Sequence, residues 1–175
     1  MFIAHLPAGY IASHMLRDRL RVTPKDYSAY VWAALLGSVA PDFDLFYFYL
    51  FDHRWHNHHT YFTHFPVVWL SLLLGAGFAL WYAKRKFTPL LAFMFSLNGL
   101  IHMVLDSVFG HIWWLAPWSD YSFNMFSVRK FYDHWWLNYL FHWGLAVELL
   151  IVLWAFHLWR KSVSRQNCFA SVTTP

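Results

Sequence analysis

The chain has 175 residues, 59% of them hydrophobic and 23% aromatic but only 13% charged, against about 25% charge in a soluble domain. Mean hydropathy is +0.34, held down by 12 His, 12 Trp and 10 Tyr. The net charge of +4 lies in short clusters between apolar segments, which is how membrane topology is written, so nucleic-acid binding is not expected; the single cysteine, Cys168, excludes a disulfide framework and a Cys-based zinc site.

Phe2 to Leu16 and Ser28 to Ala40 are apolar but short of the roughly 20 residues that cross a bilayer. The first is interrupted by His5, Pro7 and His14 and has no basic region before it, so it reads as mature structure and not as a signal peptide. Pro41 disfavours helix at the residue before it, which puts Asp42 and Asp44 at a break leading into Leu45–Phe51. A polar stretch from Asp52 to Thr63 follows. Pro66 to Ala83 and Thr88 to Asp106 are long enough to span, and a second polar stretch, Gly110 to Trp136, precedes a third span, Leu137 to Trp159. The expected fold is all-α: a polytopic membrane helical bundle with about three full spans and two shorter N-terminal helices. Residues 1–160 form one domain and residues 161–175 a polar tail, with no linker or internal repeat between them. The lipid bilayer is the implied partner; oligomeric state leaves no trace in the sequence.

If successive segments alternate across the membrane, one side collects Arg17, Arg19, Arg21, Lys25, Lys84–Lys86, Arg160, Lys161 and Arg165. The other side has only Arg54, Arg129 and Lys130. The positive-inside rule makes the first side cytoplasmic. The histidines sort the other way: His5, His53, His56, His58, His59, His64, His102, His111, His134 and His142 fall toward the second side, with Asp42, Asp44, Asp52, Asp106, Asp120 and Asp133. Only His14 and His157 fall on the basic side. Because Lys and Arg alone drew the topology, this gathering of His and Asp is a separate observation.

His102 and Asp106 are four residues apart, so a helix puts them on one face within reach of a shared metal. His14 and Asp18 repeat that spacing on the basic side and read as its chance occurrence. The plain alternative for His102/Asp106 is a hydrogen-bonded pair; its position near the end of an apolar helix, where ionisable groups are costly, favours a metal. Helix capping would account for one of Asp42 and Asp44. Both beside an apolar run suit a hard or borderline cation such as zinc, manganese or magnesium. Of the five histidines in 53–64, His53, His56 and His58 read equally well as polar spacers. His64 stands out because it precedes Pro66 and a span, at the level of His102. His111 and His134 are peripheral ligand positions, His142 lies close to the same side, and Glu148, deeper, needs either a proton or a polar partner inside the bundle. Trp113, Trp114, Trp118, Trp135 and Trp136 read as an interfacial belt.

Four motifs in chain order resemble those of the YdjM-like family: His5-Leu-Pro-Ala-Gly9, Gly37-Ser-Val-Ala-Pro-Asp-Phe-Asp44, Thr63-His64 and His102-Met-Val-Leu-Asp106. These are LexA-regulated inner-membrane proteins described as metal-dependent hydrolases, and the resemblance covers roughly residues 1–160. The family is in turn similar to zinc-dependent phospholipase C and the fungal single-strand nucleases. The resemblance implies His5, Asp42 or Asp44, His59 or His64, His102 and Asp106 as ligands, with His111 and His142 as further ones. Thr60 stands where the family has an arginine, and Arg54 could replace it. Ala146 stands where the soluble relatives place an acid four residues after a histidine, here His142.

The expectation is therefore a divalent-metal hydrolase, zinc by preference, at the periplasmic face of a bacterial inner membrane. Asp42 or Asp44 would be the general base, on a phosphoester or phospholipid-type substrate. A metal transporter or metallochaperone is the alternative, and would need ligands along a path through the bilayer. A structural membrane protein that binds metal incidentally is the third.

Overall fold

The computed structural model describes residues 3–84 and 86–173. Phe2 and Arg85, and the side chains of Arg165 and Cys168, lie outside the described residues. All the elements are helical: α1 (His5–Leu16), α2 (Tyr27–Val39), α3 (Asp44–Leu50), α4 (Pro66–Tyr82), α5 (Phe87–Asp106), α6 (Trp135–Leu140) and α7 (Trp143–Thr173). Prolines stand at helix starts, where the missing N–H costs nothing: Pro7 in the first turn of α1, Pro66 opening α4 and Pro89 in the first turn of α5.

The all-helical expectation holds, and the spans need redrawing. Two described helices are long and apolar enough to cross a membrane, Phe87–Asp106 and Trp143–Ser164; a third arises if Tyr27–Val39 and Pro41–Leu50 are one span bent by 56°. The expected span over Leu137 to Trp159 is broken, because α6 stops at Leu140 and α7 starts at Trp143, on the far side of Phe141 and His142. At 17 residues α4 is the shorter apolar helix. The bend after α2 lies where Pro41 places it, yet Ala40 keeps helical dihedrals (φ −60°, ψ −35°), since a 3₁₀ turn over Pro41–Phe43 carries the chain round. Beyond the end of the expected domain, the polar tail continues α7 as helix to Thr173.

Central α5 packs on α2 and α4, while α1 packs on α2, α5 and α7. Small residues let the backbones approach. A Cβ at Gly37 would lie 2.1 Å from the Phe95 carbonyl oxygen, and one at Gly99 would lie 1.9 Å from the Trp69 ring. Side chains that miss these crossings point outward and are apolar, such as Leu74, Phe78 and Trp81 on α4 and Leu150 and Leu153 on α7. In water that surface would be a liability; against acyl chains it is the solvated face.

At one end of the bundle, Val22, Tyr30, Ala34, Leu90 and Met94 form an apolar core. At the other, the start of α1, the end of α2, the approach to α4, the end of α5 and the start of α7 come together.

Candidate metal centre

His5 is the first residue of α1, Asp42 lies in the 3₁₀ turn after α2, His64 closes a 3₁₀ turn two residues before α4, and His102 and Asp106 occupy the last turns of α5. Asp42, His64, His102 and Asp106 each present a ligand atom, all within 4.8 Å of one another. His102 Nε2 is 3.1 Å from Asp106 Oδ2 and 3.6 Å from Asp42 Oδ1. His64 Nε2 is 3.6 Å from Asp42 Oδ1 and 3.9 Å from Asp106 Oδ2. His5 stacks on His102 with ring centroids 3.8 Å apart, and its Nε2 is 3.0 Å from Asp106 Oδ1. His58, His59 and His64 form a second such group, and His59 Nε2 approaches Asp106 Oδ2 at 3.6 Å.

What orients these rings is on their other nitrogen. His64 Nδ1 donates to Asp44 Oδ2 at 2.6 Å, and the Thr63 hydroxyl donates to the same oxygen. His102 Nδ1 donates to the Ser38 carbonyl at 2.8 Å, and His59 Nδ1 to the His111 carbonyl at 3.2 Å. Each partner is purely an acceptor, so Nδ1 carries a proton, and it is Nε2 that presents the lone pair when the ring is neutral. An imidazole held in this way is the usual support of a metal ligand. The Nε2 atoms of His5, His64 and His102 are buried with no hydrogen-bond partner. A buried unsatisfied nitrogen costs about 1–3 kcal/mol, and a cation among Asp42, His64, His102 and Asp106 would satisfy those of His64 and His102. The donor set, imidazole nitrogens with two carboxylates, fits zinc or another first-row divalent metal.

Electrostatics in the loop agree. Burial lowers the pKa of His58, and pushes His59 down to about 3, so both stay neutral. Burial also disfavours charge on His64, but Asp42 and Asp44 on its two nitrogens outweigh this and raise its pKa. A divalent cation between His64 Nε2 and Asp42 would take that proton's place.

The sequence expectations divide accordingly. His5, Asp42, His59, His64, His102 and Asp106 are brought together. Asp44 stands behind His64, buried, and orients it instead of joining the ligand group. Neither aspartate caps a helix: no side-chain cap bond is made at the start of α3 or of the turn before it. His111 contributes its carbonyl to His59, while its ring is 3.2 Å from Ser122 Oγ, so it is outside both ligand groups. His142 is outside them too; its Nδ1 accepts from Gly144 N at 3.0 Å and its ring meets Phe109 edge-on. Asp52 takes His56 at 2.7 Å, and His134 stacks on Trp136, both away from the cluster. Glu148 has its polar partners: Oε2 accepts from Ile3 N at 2.6 Å and Ala4 N at 3.2 Å, tying the start of α1, and with it His5, to α7.

A cleft of about 680 Å³ opens beside the cluster, with Asp42, His58, His59 and Asp106 in its wall. Of the two carboxylates of the first group, Asp42 is the more open to it, with 32% of its side chain exposed against 5% for Asp106. Sequence reasoning missed the Ser38 carbonyl and the Thr63 hydroxyl, which support the rings, and Phe48, Phe109 and Lys130, which line the cleft. Ser38 and Thr63 lie inside the motifs quoted above, so the motif boundaries were their only signal.

No curated protein and no solved structure matches the chain. A family model described as YdjM inner membrane protein matches residues 1–168. With its motifs gathered at one end of an apolar helical bundle, the chain belongs to the YdjM inner membrane protein family.

Proposed function

We propose that this protein is a metal-dependent hydrolase acting at the periplasmic face of the inner membrane on a phosphoester or phospholipid-type substrate. The observation that carries the reading is the convergence of buried, unpartnered Nε2 atoms of His64 and His102 on Asp42 and Asp106, beside an open cleft. A metal needed only for folding would be closed off, whereas a catalytic one keeps a face toward substrate. His64, His102, Asp106 and Asp42 would hold the ion, zinc by preference, with His5 and His59 completing the set. When bound, the metal supplies a water of lowered pKa and polarises the ester. One oxygen of Asp44, Oδ2, is taken by both His64 and Thr63, and its side chain is buried, which makes the more exposed Asp42 the carboxylate placed to take a proton on the cleft side. Ser38, Asp44 and the His111 carbonyl keep the imidazoles aimed.

The periplasmic placement rests on the distribution of Lys and Arg, because the cluster lies at the ends of helices whose opposite ends carry the basic residues. A transport path is not favoured, since Glu148, the deep acid on α7, is engaged by backbone amides of Ile3 and Ala4.

The test is turnover by detergent-purified, zinc- or manganese-loaded protein on a panel of phosphodiesters and carboxylic esters. Hydrolysis should be abolished by chelator, restored by metal, and absent from a His102→Ala/Asp106→Ala variant. Equal rates from wild type and that variant across the panel, with metal flux in liposomes, would replace this reading with transport.

A further inference from the structure

We infer that the substrate this site takes is a membrane lipid with an anionic head group, its acyl chain lying along the cleft; this rests on the hydrolase reading and narrows its substrate. The cleft joins two chemistries. Its polar end is the His/Asp cluster, and its walls are Leu45, Phe48, Phe109, Val128 and Leu145. A small water-soluble ester has no use for those walls. Nor is the cleft confined to the surface. It is lined by Gly144, Leu145 and Glu148 of α7, so it descends about 8 Å below the start of that helix, at 1.5 Å per residue. The facing wall, Leu45 and Phe48, belongs to α3, the second limb of the bent span. One wall is thus a helix long and apolar enough to cross the membrane and the other a limb of the bent apolar pair, and hydrocarbon is what that depth offers. Its volume lies in the range of small-molecule sites and suits a head group with part of a chain.

The head group's charge follows from the cations. Among the described residues, the Lys and Arg that the sequence topology assigns to this side are Arg54, Arg129 and Lys130. One of these lines the cleft, and a second stacks on a residue that does. Lys130 lines it, and the Arg54 guanidinium stacks 4.8 Å over the ring of Tyr49, which also lines it. Of the carboxylates that also line the cleft, Asp42 and Asp106 belong to the metal centre and Glu148 is held by the amides of Ile3 and Ala4, which leaves Asp133 against Lys130. A metal centre with a cation beside it suits a phosphate-bearing lipid.

Lipid retention tests this without requiring turnover. Phosphatidylglycerol bound to zinc-loaded protein is counted by native mass spectrometry for wild type, Leu145→Trp, which fills the cleft, and Leu150→Trp, on the outward face of the same helix. Wild type should hold phosphatidylglycerol about tenfold more tightly than Leu145→Trp, the worth of about two buried methylenes, and Leu150→Trp should match wild type. Lys130→Gln should reduce binding of phosphatidylglycerol more than that of phosphatidylcholine. Glycerol phosphate, the head group without chains, should compete poorly. Binding unchanged in Leu145→Trp, or glycerol phosphate competing as well as the lipid, would overturn the inference. If binding follows the prediction but no phosphoester is ever turned over, the lipid cleft stands and the hydrolase reading falls.

Discussion

Around Leu16, Tyr27 and Leu90 the bundle is closed by hydrocarbon, with Val22, Tyr30, Ala34 and Met94 packed where α2 meets α5. Where the same two helices meet at their other ends, Ser38, His102 and Asp106 are buried instead. Burying polar groups costs free energy unless they are paired, and the Nε2 atoms of His64 and His102 have no hydrogen-bond partner. The contrast is sharpest between two pairs with identical spacing. His102 and Asp106 lie within one helix, buried, 3.1 Å apart and surrounded by three further imidazoles. Asp18 lies in the turn beyond the end of α1, exposed, so His14 and Asp18 do not share a helical face to its end. Spacing supplies the opportunity for a metal pair, and what the tertiary fold brings to it makes a site. One end of this bundle is closed by apolar packing; the other buries a group of imidazoles and carboxylates that could hold a cation.

Substitutions at the two ends should separate metal binding from stability. The largest effect expected is on metal retention through purification. His64→Ala and Asp106→Ala should each lose nearly all bound metal, since each removes a ligand and leaves the remaining charges uncompensated. His14→Ala should keep the wild-type content; if it emptied the protein as fully, the two ends would not differ as described. Next, Met94→Ala should cost about 2–5 kcal/mol of stability by opening a cavity in the apolar core, read from denaturation in detergent, while the protein that remains folded keeps its metal. Metal loss in proportion to Met94 truncation would join the two ends into one unit. A smaller effect is expected from Asp44→Asn, which preserves the shape behind His64 but removes the charge. Metal affinity measured by chelator competition should fall roughly 10–100-fold, without the near-total loss seen for Asp106→Ala. If Asp44→Asn emptied the site and Asp42→Asn did not, the two aspartates would have to exchange roles.

Much of this site was legible because its chemistry is local. His102 and Asp106 declare themselves by spacing on an apolar helix, and His64 by standing just before Pro66. Asp42 and Asp44 could not be separated, because both sit in one turn and the distinction depends on His64, 20 residues away, taking one of them behind its ring. His58 joined the donors while His53 and His56 did not, since a loop's path decides which of its imidazoles reach the bundle. His111 reads as a ligand in the sequence, whereas the fold sets its carbonyl, which any residue could supply, against His59 Nδ1. The gap between α6 and α7 was invisible because Phe141 and His142 interrupt the helix between Leu140 and Trp143 without breaking the aromatic, apolar run. Glu148 needed a partner by burial alone, yet only the fold reveals that the partner is the free start of α1.

The central claim is that imidazole Nε2 and carboxylate oxygen converge on one cation. X-ray absorption at the zinc edge of purified, zinc-loaded protein measures this directly. The account predicts a stoichiometric metal with a mixed nitrogen and oxygen shell at about 2.0–2.2 Å, showing imidazole scattering that disappears, with the metal, in His102→Ala/Asp106→Ala protein that still folds. A wild-type protein that retains no zinc, or one whose zinc has an oxygen-only shell unchanged in that variant, would contradict it.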